Sequence, residues 1–364
     1  MTRMNQLLKV IMLSMSVDAC AGDTEYQILE PSITQMTAQF SPDAYKKQQV
    51  HAAVKVLAYG EGAQRVYVFL PEQPPLNDKT KVPVVFFHHG WQGMNPKNFG
   101  AMIDHLARSG HVVVYPVYQE SSATSPQVVT TNAVAANLSA LKLFAENGLE
   151  IDTNRVLYVG YSMGAAISLN IAIQPDHWGL PAPKALVLIA PGDAHHVATG
   201  MEAKSIIGDV QKLPPSLPMV LITGAADTTI GVPTARKIMS QLCGVNSDQR
   251  VLMLLPSDQY GEATVRSAHG SPGAPDSRYD FALSDSQFPR IIRGRAGFEA
   301  SSSLNQLDFY GFWKVLSLVD QGVASDSLSS SIVFAKGTTE QLFLGVWPNG
   351  APFKPIQLEN PCQP

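Results

Sequence analysis

The chain of 364 residues is poor in cysteine, modest in charge and without a long apolar run. Only Cys20, Cys243 and Cys362 are present, and none falls in a C-x-x-C or other metal-ligand spacing, which argues against a structural metal site. No stretch reaches the roughly eighteen consecutive apolar residues of a transmembrane helix, so none is expected. Charged residues make up 15% of the chain, the formal net charge is −4, and there is no basic run or stripe, which argues against a nucleic-acid partner. No internal repeat and no low-complexity linker divides the chain, so a single catalytic domain is the simplest organisation. What is present is apolar material, 45% of residues, enough for a sizeable core.

The N-terminus has the order of a secretory leader. Arg3 and Lys9 precede the apolar segment Val10–Val17, and Ala19-Cys20-Ala21 supplies small residues for cleavage. Residues 1–21 therefore read as a signal segment, with export to a periplasmic, secreted or lipoprotein-anchored location and a cytoplasmic location as the alternative. Val17-Asp18-Ala19-Cys20 also resembles a lipoprotein box, which makes Cys20 a candidate lipid anchor. Cys243 and Cys362 then remain either as a disulfide tying the tail to the body or as two free thiols.

From Val54 onward, apolar runs alternate with helical spacing. Arg65–Leu70 alternates and ends at Pro71, which predicts an edge strand. Further strands are expected at 82–88, 111–117, 155–159, 184–190, 217–223 and 250–255. Helices are expected at 97–109, 127–147, 165–173 and 233–242. Buried strands separated by helices imply an α/β fold, a mostly parallel central sheet with helices on both faces. Residues 195–215 are too short for a large cap domain and read as a small lip. The tail reads as a hairpin or strand added to the domain. The boundaries are 1–21 signal segment, 22–53 N-terminal extension, 54–320 catalytic domain and 321–364 C-terminal extension.

Gly160-Tyr161-Ser162-Met163-Gly164 is a G-x-S-x-G pentapeptide. Alone it is weak, because glycine and serine are common residues. Its place between the strand 155–159 and the helix 165–173 carries the inference. A serine on a sharp strand-to-helix turn holds its hydroxyl exposed, and the helix N-terminus favours developing negative charge. The bland alternative is a helix-capping serine.

A serine nucleophile needs a base, an orienting acid and an oxyanion stabiliser. Asp227 lies just past the carboxyl end of the strand 217–223, on the sheet edge where ligands bind in open α/β sheets. Asp193 and Asp209 follow their strands less closely. His269 follows the last core strand on a loop that can return over that edge, so the order is Ser162, Asp227, His269. His51, His105, His111 and His177 read as packing or surface residues. His195 and His196 look like a metal-ligand pair without companions, so no metal is expected and a role at the substrate lip is favoured. The backbone N–H groups of Met163 and Trp91 are the expected oxyanion donors, with Gly90 allowing the tight turn in His88–Gly93. At least one of His88 and His89 is expected to hold that loop. His89, Tyr161 and His195 are the substrate-pocket candidates.

H-G-W at 89–91, I-D-x-x-R-V at 151–156, G-Y-S-M-G at 160–164, G-A-A-D at 224–227 and A-H-G at 268–270 together resemble the α/β-hydrolases over about Val54 to Asp320. Within them the chain is similar to the branch of chlorophyllases, platelet-activating-factor acetylhydrolases and cutinase-like bacterial esterases. It departs from that branch in the long part after His269, including Leu307–Trp313. Dienelactone hydrolases carry a cysteine nucleophile, which Ser162 does not match. The resemblance implies a cofactor-free serine hydrolase acting on a small-molecule or lipid ester through an acyl-enzyme. A serine peptidase or amidase, or a binding protein that has lost turnover, are the rival readings.

Overall fold

The computed structural model describes the backbone of residues 25–29 and 329 and, with side chains, residues 49–72, 81–197, 204–243, 249–281, 302–328 and 330–362. The leader reading and Cys20 lie outside the described residues.

Ten strands form one sheet. They are β1 (Glu25–Leu29), β2 (Val54–Tyr59), β3 (Arg65–Pro71), β4 (Val82–His88), β5 (Val112–Val117), β6 (Ile151–Tyr161), β7 (Ala185–Ile189), β8 (Met219–Gly224), β9 (Arg250–Leu255) and, beyond a small hairpin of β10 (Asp258–Tyr260) and β11 (Ala263–Val265), β12 (Gln357–Glu359). The order across the sheet is β1-β2-β3-β5-β4-β6-β7-β8-β9-β12. The pairs from β5 through β9 are parallel, and the outer pairs at both ends are antiparallel. β1 lies within 22–53 and β12 within 321–364, so both extensions contribute strands to the sheet.

The parallel strands are apolar on both faces because both faces are covered. Neighbours such as Phe86 and Phe87 alternate between the two layers. Phe87 packs with α1 (Gly100–Arg108) and with Phe312, Trp313 and Leu316 of the C-terminal part, while Phe86 packs with α2 (Val129–Glu146), α3 (Met163–Ile173) and, beyond the short α4 (Pro175–Trp178), α5 (Gly231–Ser240). A π-helical stretch, Leu307–Trp313, leads into α6 (Lys314–Ala324), and the short α7 (Thr339–Leu342) follows.

One strand differs from its expected place. β3 is interior, paired with β2 on one side and β5 on the other. Val66, Val68 and Leu70 enter one core layer and Tyr67 and Phe69 the other, so the strand is covered twice. Pro71 is tolerated because it is the last residue of the strand. The stretch Pro126–Glu146 is the one helix among the described residues long and apolar enough to cross a membrane. It packs against the sheet through Ala133, Ala136, Ala140, Leu143 and Phe144.

The tail is fastened to the sheet edge by several contacts. Cys243, just past α5, forms a disulfide with Cys362. Arg236 of α5 clamps the Glu359 carboxylate with two hydrogen bonds of 2.8 and 2.6 Å. Buried Asp258 accepts from Trp347 Nε1 at 3.1 Å and from the Lys354 amide at 2.9 Å. The disulfide closes a chain segment of sequence separation 119. Replacing Cys243 and Cys362 by serine is expected to lower stability by about 2–5 kcal/mol. Denaturant unfolding monitored by circular dichroism measures it, and an unchanged midpoint would show that the noncovalent contacts suffice.

Candidate active site

The turn from β6 into α3 places Ser162 at φ 52 and ψ −120, a left-handed conformation rare outside glycine. The flanking glycines are required by close approach. A Cβ on Gly164 would lie 1.9 Å from the His88 carbonyl oxygen, and one on Gly160 would lie 2.4 Å from the Gly164 oxygen. Backbone bonds secure the turn: Ser162 N donates to Ile189 O at 3.0 Å and Gly192 N to Ser162 O at 3.0 Å.

Three side chains from three strand ends meet here. His269 Nε2 is 3.0 Å from Ser162 Oγ, and His269 Nδ1 is 2.6 Å from Asp227 Oδ2. Asp227 is buried three residues past β8, with the Thr223 hydroxyl 3.5 Å from the same oxygen. His269 lies beyond the β10–β11 hairpin. Its loop is stitched down by Ala226 N to Ser267 O at 2.9 Å, and Ser302 Oγ to Gly270 O at 3.0 Å. Ser162 is nearly buried, with 8% of its surface exposed. Asp193 and Asp209 stand outside this chain: Asp209 caps the turn Val210–Lys212, and Asp193 binds the lip.

The loop 88–93 comes directly against the turn. A Cβ on Gly90 would lie 2.7 Å from the Tyr161 ring and 3.1 Å from Ser162 Cβ. Gly93 N donates to Gly90 O at 2.9 Å, and Gln92 N donates to Gln119 Oε1 at 2.8 Å. Trp91 is half-buried in this loop, packed against the layer that holds α2 and α3. The Met163 amide opens α3, where a helix has no internal acceptor for it.

Both histidines of the loop are structural. His88 Nε2 accepts from Asn137 Nδ2 at 3.0 Å, so its Nδ1 carries the proton and donates to Ser168 Oγ at 2.7 Å. His89 stacks on Tyr118 and Tyr115 with ring centroids 4.1 and 5.1 Å away, and its Nδ1 donates to Gly90 O at 2.6 Å. Burial lowers each imidazole to about 3. His89 is therefore an internal prop of the loop, where a pocket position was expected. Tyr161 is likewise buried; its hydroxyl donates to the His269 carbonyl at 2.9 Å, which makes it a support behind the histidine.

His195 is exposed on the lip, its ring 3.8 Å from that of His196 and its Nδ1 3.5 Å from Asp193 Oδ2. His196 Nδ1 accepts from Asp193 N at 3.1 Å, and burial, the neighbouring His195 and His269 all lower its basicity. Burial pushes the Asp193 carboxyl up, but bonds from Ser205 Oγ, Ile206 N and Ala194 N outweigh it and hold the carboxyl low. That buried carboxylate fastens residues 204–213 to the end of β7. Among the described residues no group of three or more His, Cys, Asp or Glu is placed to hold a metal ion. Sequence reasoning passed over Gly192, which stands beside Ser162, and Ile230, whose Cγ2 would lie 3.3 Å from a Cβ on Gly192. A glycine just after a strand looks like an ordinary turn residue.

Residues 84–222 match the family described as alpha/beta hydrolase fold, a span that includes the loop 88–93, Ser162 and Gly192. No curated protein matches the chain. Strand order, helical layers and this match give the chain the α/β-hydrolase fold.

His88 and His89 are neutral when folded and take up protons more readily when unfolded, since a free imidazole titrates near 6.5. The unfolded state binds more protons between about pH 6.5 and about pH 3, so stability falls as pH drops through that window. His88→Gln is expected to be less stable at neutral pH yet to lose less on acidification. Melting temperatures across a pH series measure it; parallel curves for the two proteins would contradict it.

Proposed function

We propose that the protein is a serine hydrolase of carboxylic, lipophilic esters that works through an acyl-enzyme. The continuous hydrogen-bonded chain Asp227–His269–Ser162 carries this reading. His269 Nε2 takes the Ser162 proton as Oγ forms a bond to the ester carbonyl carbon. Asp227 stabilises the resulting imidazolium through Nδ1. The carbonyl oxygen, now negative, is received by the Met163 and Trp91 amides, aided by the N-terminus of α3. The C–O bond to the alcohol then breaks as the imidazolium returns its proton to the leaving oxygen. Water, activated by the same imidazole, releases the acid and restores Ser162.

The nearly buried Ser162 and the short lip suit a small-molecule or lipid ester. No cofactor is called on in this sequence of steps. The Cys243–Cys362 disulfide supports an exported enzyme, because such bonds persist in oxidising compartments.

Ser162→Ala is expected to keep the fold and lose hydrolysis of p-nitrophenyl esters, and Asp227→Asn to lower kcat by about 10⁴-fold. A fluorophosphonate probe is expected to label Ser162 in the unaltered protein. Retained turnover in Ser162→Ala, or a protein that the probe does not label, would rule the mechanism out. Matched ester and amide substrates, assayed side by side, separate an esterase from a peptidase or amidase.

A further inference from the structure

Gly90, Trp91, Gln92 and Gly93 form a β-turn, closed by the Gly93 amide donating to the Gly90 carbonyl at 2.9 Å. Gln92 has φ 64, whereas Trp91 keeps a negative φ. That combination defines a type II turn, which calls for glycine or asparagine at the position Gln92 occupies. A Cβ there is unfavourable, so the turn needs an outside hold. Gln119, two residues past β5, supplies it: its Oε1 accepts from Gln92 N at 2.8 Å. This N–H belongs to the peptide that is turned over between a type II turn and the commoner type I. Among the described residues the Gln119 carboxamide makes that contact alone; the side chain is 1% exposed and its Nε2 is buried without a partner. An apolar side chain would avoid the unpaired donor, so packing does not account for a glutamine here.

The flanks of the turn are fixed as well. Tyr118 donates its hydroxyl to His89 O at 2.5 Å, and Tyr115, within β5, donates to Gly93 O. Gly90 abuts the Tyr161 ring and Ser162 Cβ, where no side chain would fit. With both ends held, a change of turn type is taken up between them, at Trp91. The Trp91 N–H has no acceptor among the described residues. Resting on the ester-hydrolase reading above, we propose that Gln119 is a positioning residue: by holding Gln92 at positive φ it keeps the turn in the form that offers the Trp91 amide to the developing oxyanion. Acylation and deacylation both pass through such an oxyanion. A misplaced amide therefore slows both halves of the reaction and lowers kcat while KM stays nearly constant.

The test is steady-state hydrolysis of p-nitrophenyl acetate and butyrate, with kcat expressed per Ser162 labelled to completion by a fluorophosphonate. Gln119→Met removes the acceptor at similar side-chain length. It is expected to lower kcat by about 10²-fold, the lower end of the loss when an oxyanion donor is removed, with KM nearly unchanged. Adding Gln92→Gly to that variant is expected to restore kcat by about tenfold, because glycine takes positive φ without the Cβ penalty. Gln92→Val, whose β-branched side chain opposes positive φ, is expected to lower kcat at constant KM even with Gln119 in place. It keeps the proposal testable if Gln119→Met does not fold. An unchanged kcat per labelled site, a loss carried by KM, or a loss that Gln92→Gly fails to reverse would overturn the positioning role. An unaltered protein that hydrolyses neither ester would instead overturn the ester-hydrolase reading, and the positioning role with it.

Discussion

Holding Ser162 at φ 52 and ψ −120 costs backbone energy on the order of 1–3 kcal/mol, and close packing around its two neighbouring glycines is what sustains it. Gly164 sits so near the His88 and His89 carbonyls that α3 and the loop 88–90 share one surface. The turn therefore cannot relax without displacing the loop that carries Trp91. Nor can the loop move freely, since His88 is tied to Asn137 of α2 and Ser168 of α3. Two helices, a strand end and a loop thus converge on one strained residue, and the rest of the sheet edge is arranged around it.

The imidazoles at this edge divide by environment. His88 and His89 are fully buried and neutral, spending their hydrogen bonds on helices and on the loop backbone. His269 is only part-buried, between a buried carboxylate and the Ser162 hydroxyl. His195 and His196 lie on the lip, where Asp193 orders the second and pairs with the first. The same side chain serves here as strut, proposed base and rim, and the distinction comes from the neighbours of each ring.

The alternation of apolar runs and helical spacing made the parallel core legible, because strands covered on both faces must be apolar throughout. The turn at Ser162 was legible for a related reason: small residues at 160 and 164 mark a tight crossing before any partner is known. Other features depended on tertiary neighbours. Pro71 resembles an edge marker until β5 is found beyond β3. Tyr161 and His89 resemble pocket residues by position alone, and only the His269 carbonyl and the Tyr115–Tyr118 pair reveal them as supports. The tail reads as an added hairpin or strand, and β12 is that strand, but its three residues leave no periodic signature to fix its place. Nor does the sequence show that the helix opening near Asp308 is π-helical over Leu307–Trp313. Gly192 was the least visible, since the atom that excludes a side chain there lies thirty positions earlier in the chain.

The disulfide divides the proposed triad topologically. Its covalent ring runs from Cys243 to Cys362 and encloses His269, whereas Ser162 and Asp227 lie outside it. A protease cut between Cys243 and His269 leaves both pieces joined through sulfur, with β12 still paired to β9 if the cut spares β9. Histidine and serine then stay in one molecule although the polypeptide between them is broken. Backbone continuity and integrity of the site are separate properties in this stretch, and a nicked form in an oxidising, protease-rich setting keeps all three side chains in a single covalent unit.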